Sequence, residues 1–183
     1  MQSVLPDVLA PDLAIVFCGT AAGAASARRR AYYAGPGNAF WPTLFKVGLT
    51  PRPLEPEEYV SVLQYGLGLT DLAKGVSGAD HTLSREHFDR DVLQGKIARY
   101  RPHIVAFTSK RAAEECVGHA VPYGLLTEHI GQTRLVVLPS PSGAARRYWD
   151  VRPWHDLALM RESGTRPDVR ETTGYTGTVL GSA

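Results

Sequence analysis

This chain predicts an α/β domain with a central, largely parallel sheet, on three observations. Leu13 to Cys18 (LAIVFC) and His103 to Thr108 (HIVAFT) are short, strongly apolar runs, as expected of strands buried on both faces. Between and after them lie stretches with helical spacing, and strands alternating with helices argue for a parallel sheet. Each of these runs, and a later one from Arg134 to Leu138, leads into small or polar residues: GTAAG at 19–23, Ser109-Lys110, and PSPSG at 139–143. In such sheets ligands bind at the carboxyl ends of the strands, so these three loops are expected on one edge.

The elements follow in order. After the first strand, Gly19 to Gly23 is expected to be a tight loop, and residues 24–38, rich in Ala, Gly and Arg, an irregular stretch. Asn38 suits the cap of a helix over about Ala39 to Val47, with Phe40, Trp41, Leu44 and Phe45 facing inward. Pro51, Pro53 and Pro56 interrupt the pattern before a short helix over Glu57 to Gln64. Tyr65 to Leu72 (YGLGLTDL) is glycine-punctuated and reads as a loop with some extended character, and 74–83 as a surface loop. A helix is expected from Ser84 to about Tyr100, with Phe88, Val92, Leu93, Ile97 and Tyr100 at helical spacing, ended by Pro102. Ser109 caps a helix over Lys110 to Val117, and Leu126 to Ile130 and Arg134 to Leu138 read as strands joined at Gly131-Gln132. A last helix is expected from Ala144 or Ala145 to Met160. Residues 1–163 are thus read as one domain and 164–183, without periodicity, as an extended or mobile tail.

With 44% hydrophobic and 21% charged residues, the 183-residue chain has the balance of a globular protein with one sizeable core. No apolar run is long enough to span a bilayer, and the start lacks a basic stretch followed by an apolar one, so neither a membrane partner nor a secretory signal is expected. Cys18 and Cys116 follow no metal or redox spacing and the six histidines no ligand spacing; a reduced, cytoplasmic protein without metal is the expectation. The net charge of +2 does not decide for or against nucleic acid. Arg28-Arg29-Arg30 and Arg146-Arg147 with Arg152 follow loops, where phosphate contacts compete with ordinary solvated surface. GTAAG has neither the GxGxxG nor the GxxxxGK[ST] pattern, which removes the usual signs of dinucleotide or P-loop binding.

Four segments occur together in order: VFCGTAAG, YYAGPGNAFWPTL, YGLGLTDL and LPSPSGAARR. This set resembles the mismatch-specific uracil/thymine DNA glycosylase family over about residues 8 to 160, with AGPGNAFW its most specific piece. The resemblance implies a three-layer α/β/α sandwich, DNA containing uracil or another mismatched or damaged base as the partner, extrusion of that base into a pocket formed by these loops, and no cofactor. A monomer suffices for one small domain to grip one lesion.

Two departures stand out. The family's first motif usually reads Gly-Ile-Asn-Pro-Gly, with the Asn positioning the attacking water; here Ala21 occupies that place within Gly19, Thr20, Ala21, Ala22 and Gly23. Its last motif usually reads Asn-Pro-Ser-Gly before an apolar wedge; here Ser140, Pro141, Ser142 and Gly143 precede Ala144. Breaking an N-glycosidic bond builds positive charge on the sugar and negative charge on the base, so a carboxylate or an aligned water near the sugar, and hydrogen-bond donors near the base oxygens, speed the reaction. Asp71, in a segment the resemblance places beside the pocket, is the candidate catalytic group; the competing reading is a turn cap.

The resemblance places Tyr33 where an aromatic stacks on the flipped base, with Tyr32 the neighbouring alternative and core packing the competing role for both. Backbone N–H groups of Thr20 to Gly23 are candidate donors to the base, and Ser140 belongs to the same substrate-binding set. Asn38 either reads a base edge or caps its helix. On the DNA side, Ser142 and Gly143 suit a phosphate, Ala144, Ala145 and Arg146 the gap left by the base, and Ser109 and Lys110 a phosphate at a helix start. Phe40 and Trp41 are assigned to the core. Three readings follow: an active uracil glycosylase using Asp71, a catalytically weak damaged-DNA-binding module, and a glycosylase shifted to hypoxanthine, xanthine or ethenocytosine.

Overall fold

Alternation along the strands gives the sheet two apolar faces, and each face collects its own helices. In β1 (Ile15–Ala22), Ile15 and Phe17 pack on one side, Val16 and Cys18 on the other. In β3 (Ile104–Phe107), Ile104 and Ala106 share the first side and Val105 and Phe107 the second. The first side is covered by α2 (Phe40–Lys46), through Phe40, Trp41 and Leu44, and by α5 (Arg152–Ser163), through Trp154 and Leu157. The second is covered by α3 (Arg90–Tyr100), through Leu93 and Ile97, and α4 (Lys110–Val117), through Ala112, Ala113 and Cys116. The computed structural model describes residues 3–163. It is a three-layer α/β/α sandwich, as expected; the tail expected over 164–183 lies outside the described residues.

The sheet order is β2-β1-β3-β5-β4, completed by β2 (Leu67–Ser77), β4 (Gly124–Ile130) and β5 (Thr133–Val137). All pairs are parallel except β4 with β5, the hairpin turning at Gly131-Gln132. The order in which strands are added reverses at β1, which leads to β2 on one side and pairs with β3 on the other, the kind of switch point where α/β sheets open a crevice. The outer edge of β2 is not bare. Val8 pairs antiparallel with Leu69, N–H to carbonyl at 2.9 Å in both directions, and the Val4 N–H reaches the Lys74 carbonyl at 2.8 Å. Gly68 permits this approach, since a Cβ there would lie 2.7 Å from the Val8 carbonyl oxygen.

Several elements differ from expectation. GTAAG is not a tight loop: Gly19 to Ala22 continue β1, and only Gly23 leaves the strand. Residues 24–38 begin with a short helix, α1 (Ala24–Arg29), closed by left-handed Arg30. YGLGLTDL and the start of the expected 74–83 loop form β2, whose glycines disguise a strand buried over most of its length. The helix expected from Ser84 to Tyr100 is divided. A 3-10 turn at Arg85–His87 is followed by Phe88 in extended geometry, and α3 starts afresh with Asp89 accepting the Val92 N–H at 3.0 Å. The helix expected from Ala144 to Met160 is likewise a 3-10 turn, Gly143–Tyr148, then a break, then α5. The short helix expected over Glu57 to Gln64 is a 3-10 segment, Pro56–Tyr65. Ser109 caps α4 as expected, accepting the Ala112 N–H at 3.1 Å.

Phe17 joins the centre of the sheet to both helices of its layer, its ring 5.1 Å from Phe40 and 5.8 Å from Trp154. Phe17→Ala is expected to cost about 3–5 kcal/mol in urea unfolding; a loss below about 1 kcal/mol would remove this cluster as the main anchor of the layer.

Candidate active site

A cavity of about 610 Å³ opens at the carboxyl edge of the sheet. Its wall takes Gly19 to Gly23 from β1, Asp71 from β2, Thr108 and Ser109 after β3, and Ser140 to Ala145 after β5. The loop between α1 and α2 adds Tyr33 and Asn38. All three expected loops therefore meet at one edge, the one where the parallel strands end.

Among the described residues Asp71 is the one carboxylate in this wall, and it is only 5% exposed. The β1–β2 register sets it directly opposite Gly19. A Cβ on Gly19 would lie 2.5 Å from the Asp71 Oδ1 and 3.6 Å from the Tyr33 hydroxyl, so the missing side chain is the space the carboxylate occupies. Asp71 sits inside a strand, which removes the turn-cap reading. Burial pushes its carboxyl up to about 6, partly offset by Lys74 and Lys96, while Asp7 pushes the same way as burial.

Those three charges form a network of their own. Lys74 Nζ lies 3.0 Å from Asp7 Oδ1, and Lys96 Nζ lies 2.7 Å from Asp7 Oδ2. Thr70 donates its hydroxyl to Asp7 Oδ1 at 2.7 Å, and Lys74 donates to the Tyr32 hydroxyl at 2.9 Å. Burial pushes the Asp7 carboxyl up, but the Lys96 hydrogen bond, the Lys74 charge and the Thr70 hydroxyl together hold it below its ordinary value. The network ties the N-terminal segment to β2 and α3, beside the buried carboxylate.

Tyr33 is held from three sides. Its backbone is left-handed, with φ at 54°, which a bulky residue adopts only when its surroundings impose it. The Trp41 indole donates to the Tyr32 carbonyl at 2.9 Å, fixing the preceding peptide; the Tyr33 ring stacks on Phe40 at 3.8 Å; and its hydroxyl meets the Thr108 hydroxyl at 3.2 Å. Burial, then the Asp71 charge, raises the Tyr33 hydroxyl well above its ordinary value, so it stays protonated. Thr20 and Ser109 bridge β1 to the start of α4 through their hydroxyls at 2.8 Å.

The AGPGN loop and the last loop are closed on each other. The Ala39 N–H reaches the Pro141 carbonyl at 2.8 Å, and a Cβ at Gly143 would lie 2.6 Å from the Pro36 carbonyl oxygen. Gly37, with φ at +67°, leaves room for the Arg146 guanidinium, which a Cβ there would meet at 2.9 Å. Asn38 is not the helix cap, a position Ala39 takes; one residue earlier, its side-chain oxygen accepts the Phe40 N–H at 3.0 Å and so closes a local turn.

A family model described as the uracil DNA glycosylase superfamily matches residues 6–162. The chain belongs to the uracil DNA glycosylase superfamily. The fold agrees: a solution NMR structure from Methanosarcina acetivorans, provisionally named a uracil DNA glycosylase, superposes with a TM-score of 0.56 at 23% identity, over 88% of this chain and 96% of that one.

Within this superfamily member, the expected substrate residues Gly19, Thr20, Ala21, Ala22, Gly23, Tyr33, Asn38 and Ser140 all line the one cavity, as do Ser109, Ser142, Gly143, Ala144 and Ala145 from the expected DNA set. Lys110 and Arg146 are not part of the wall. Lys110 lies over the Tyr123 ring at 4.7 Å, and Arg146 packs at Gly37. Phe40 and Trp41 are buried, as expected. Several residues near the site escaped the sequence analysis, Thr108 among them. His81 and Tyr148 line the cavity but belong to a turn and to what looked like a helix interior, and Asp7 and Lys96 join Asp71's surroundings from distant segments. Among the described residues no cluster of His, Cys, Asp or Glu suits a metal ion, and no helix is long and apolar enough to cross a membrane.

Gly19→Ala is expected to force the Asp71 carboxylate out of its place and to cost about 1–3 kcal/mol of stability. A crystal structure of the variant with Asp71 unmoved would show that the space opposite it is not required. Asp71→Asn is expected to have the opposite effect on stability. A carboxyl raised from its ordinary 3.8 to about 6 on folding destabilises the fold as pH rises through that interval. Removing the charge should therefore stabilise by up to about 3 kcal/mol at pH 7, with the gain gone below pH 4.

Proposed function

We propose that this chain is a monofunctional DNA glycosylase that removes uracil by extruding it from the helix, with Asp71 activating the attacking water. The observation that carries this reading is a single buried carboxylate, ionised at neutral pH, in the wall of the cavity at the carboxyl edge of a uracil DNA glycosylase fold. Ala21 has no group to orient water, whereas Asp71 stands opposite Gly19, two residues before it on the same strand. The side chain that is missing from one strand is thus replaced by one on its neighbour.

In the step proposed, the bond between the sugar C1′ and the base nitrogen breaks and the base leaves with the electron pair. Water adds to C1′ and passes a proton to the Asp71 carboxylate, giving the uracil anion and an abasic sugar; the anion takes a proton from solvent, and the Asp71 carboxyl releases its own to solvent. The ionised carboxylate also stabilises the positive sugar before water adds. Tyr33, fixed by Phe40 and Thr108, supplies the aromatic wall for the extruded base, and the backbone N–H groups at Thr20 to Gly23 the donors to its oxygens. Ser142, Gly143 and Ser109 face the DNA backbone. The family resemblance favours a uracil opposite guanine as the substrate.

Single-turnover release of uracil from a duplex with one G·U pair tests this. Wild type is expected to release the base, and Asp71→Ala to do so about 10²-fold or more slowly. Equal rates would move the catalytic role away from Asp71; release of hypoxanthine, xanthine or ethenocytosine but not uracil would change the substrate; binding without release of any base would leave a damage-binding module. The rate should fall below pH 6, where Asp71 takes up a proton. Lys74→Met removes a cation that favours the ionised form, so this acid limb should move to higher pH. A limb unmoved by the substitution would sever Lys74 from the titrating group.

A further inference from the structure

Seven large apolar side chains stand exposed among the described residues: Phe45, Val60, Val92, Tyr123, Leu125, Tyr148 and Leu159. Scattered exposure of this kind is ordinary. Tyr148 differs from the rest in being part of the cavity wall, where it is 67% exposed among residues as small as Ala24, Gly143, Ala144 and Ala145.

Its backbone is not free to fold the ring away. The 3-10 turn that ends in Tyr148 is capped by Ser142, which accepts the Ala144 N–H on its hydroxyl and the Ala145 N–H on its carbonyl. The Pro141 carbonyl before it is held by the Ala39 N–H. Directly after Tyr148, Trp149 packs at 5.7 Å from the buried Trp154 and returns its N–H to the Arg146 carbonyl at 3.2 Å. Both ends of the turn are thus anchored and the ring is left in solvent, with the Arg147 guanidinium 5.1 Å from its centre. An exposed aromatic ring on an anchored turn, with the Arg147 guanidinium beside it, suits a partner that is flat, apolar on its faces and anionic at its edge, which describes a nucleotide.

We infer that Tyr148 is a stacking platform for the nucleobase next to the extruded nucleotide, and so a determinant of DNA affinity at this site. The inference rests on DNA as the substrate but not on the role of Asp71. It gives the last loop a means of holding DNA although Ala144 is too small to enter the base stack. The hydroxyl is not needed for this; the ring is.

Binding to a duplex with a tetrahydrofuran abasic analogue opposite guanine, and 2-aminopurine beside it, tests the inference. Tyr148→Ala is expected to weaken binding about tenfold and to abolish the change in 2-aminopurine fluorescence, while Tyr148→Phe and Tyr148→Trp keep both within about threefold. The enzyme concentration giving half-maximal uracil release should rise about tenfold for Tyr148→Ala, in step with the loss of binding, and should stay within about threefold of wild type for Tyr148→Phe. Wild-type binding with Tyr148→Ala equally tight, or Tyr148→Phe as weak as Tyr148→Ala, overturns the stacking role. Absence of wild-type binding overturns it together with the assignment of this face to DNA. The ring is exposed, so all three variants should unfold at the wild-type temperature.

Discussion

The register between β1 and β2 is the constraint on which the site depends. It sets Asp71 against Gly19, and only a residue without a side chain leaves room there for a carboxylate. Desolvation makes that placement costly, since water is largely withdrawn from a group that is ionised at neutral pH. A fold does not keep such a cost at no benefit unless other contacts over-determine it. Here the layer of Phe17, Phe40 and Trp154 below, and the ion network around Asp7 to the side, supply that rigidity. The same pattern recurs at Tyr33, whose left-handed backbone is imposed by contacts with Trp41, Phe40 and Thr108.

The sheet's two-faced strands were legible because Leu13 to Cys18 and His103 to Thr108 are continuous apolar runs, and buried parallel strands have that signature. The strand that matters most for the site was not. In LGLTDLAKGVS two glycines, an aspartate and a lysine mask the pattern; Gly68 is there for the approach of Val8 and Asp71 for the space opposite Gly19. Local propensity cannot register a neighbour sixty residues away. The two divided helices failed for a similar reason. Helical spacing was read across Phe88 and across Trp149 to Val151, but tertiary packing takes those residues in extended or bent geometry.

The candidate residues fared better than the elements carrying them. The glycine-rich and Pro-Ser-rich segments do converge, because parallel strands deliver their following loops to one edge whatever the exact strand ends. Reach was harder to foresee than position. Arg146 and Lys110 lie in the right segments, yet Gly37 and Tyr123 engage their charged ends outside the wall. Side chains four bonds long choose among several neighbours, and the sequence does not name the winner.

The N-terminal segment is more than a border to the sheet. Val4 and Val8 complete the hydrogen bonding of β2, and between them Asp7 brings the counter-charge that holds Lys74 and Lys96 together. A chain trimmed ahead of Leu9 would lose a row of hydrogen bonds and an anion in one cut. Two lysines would then stand unbalanced beside Asp71, and its acidity would shift without any change to the cavity itself. The electrical setting of the pocket is in this sense wired to residues 4–8, of which Leu5 reaches the cavity wall while Asp7 acts from behind it.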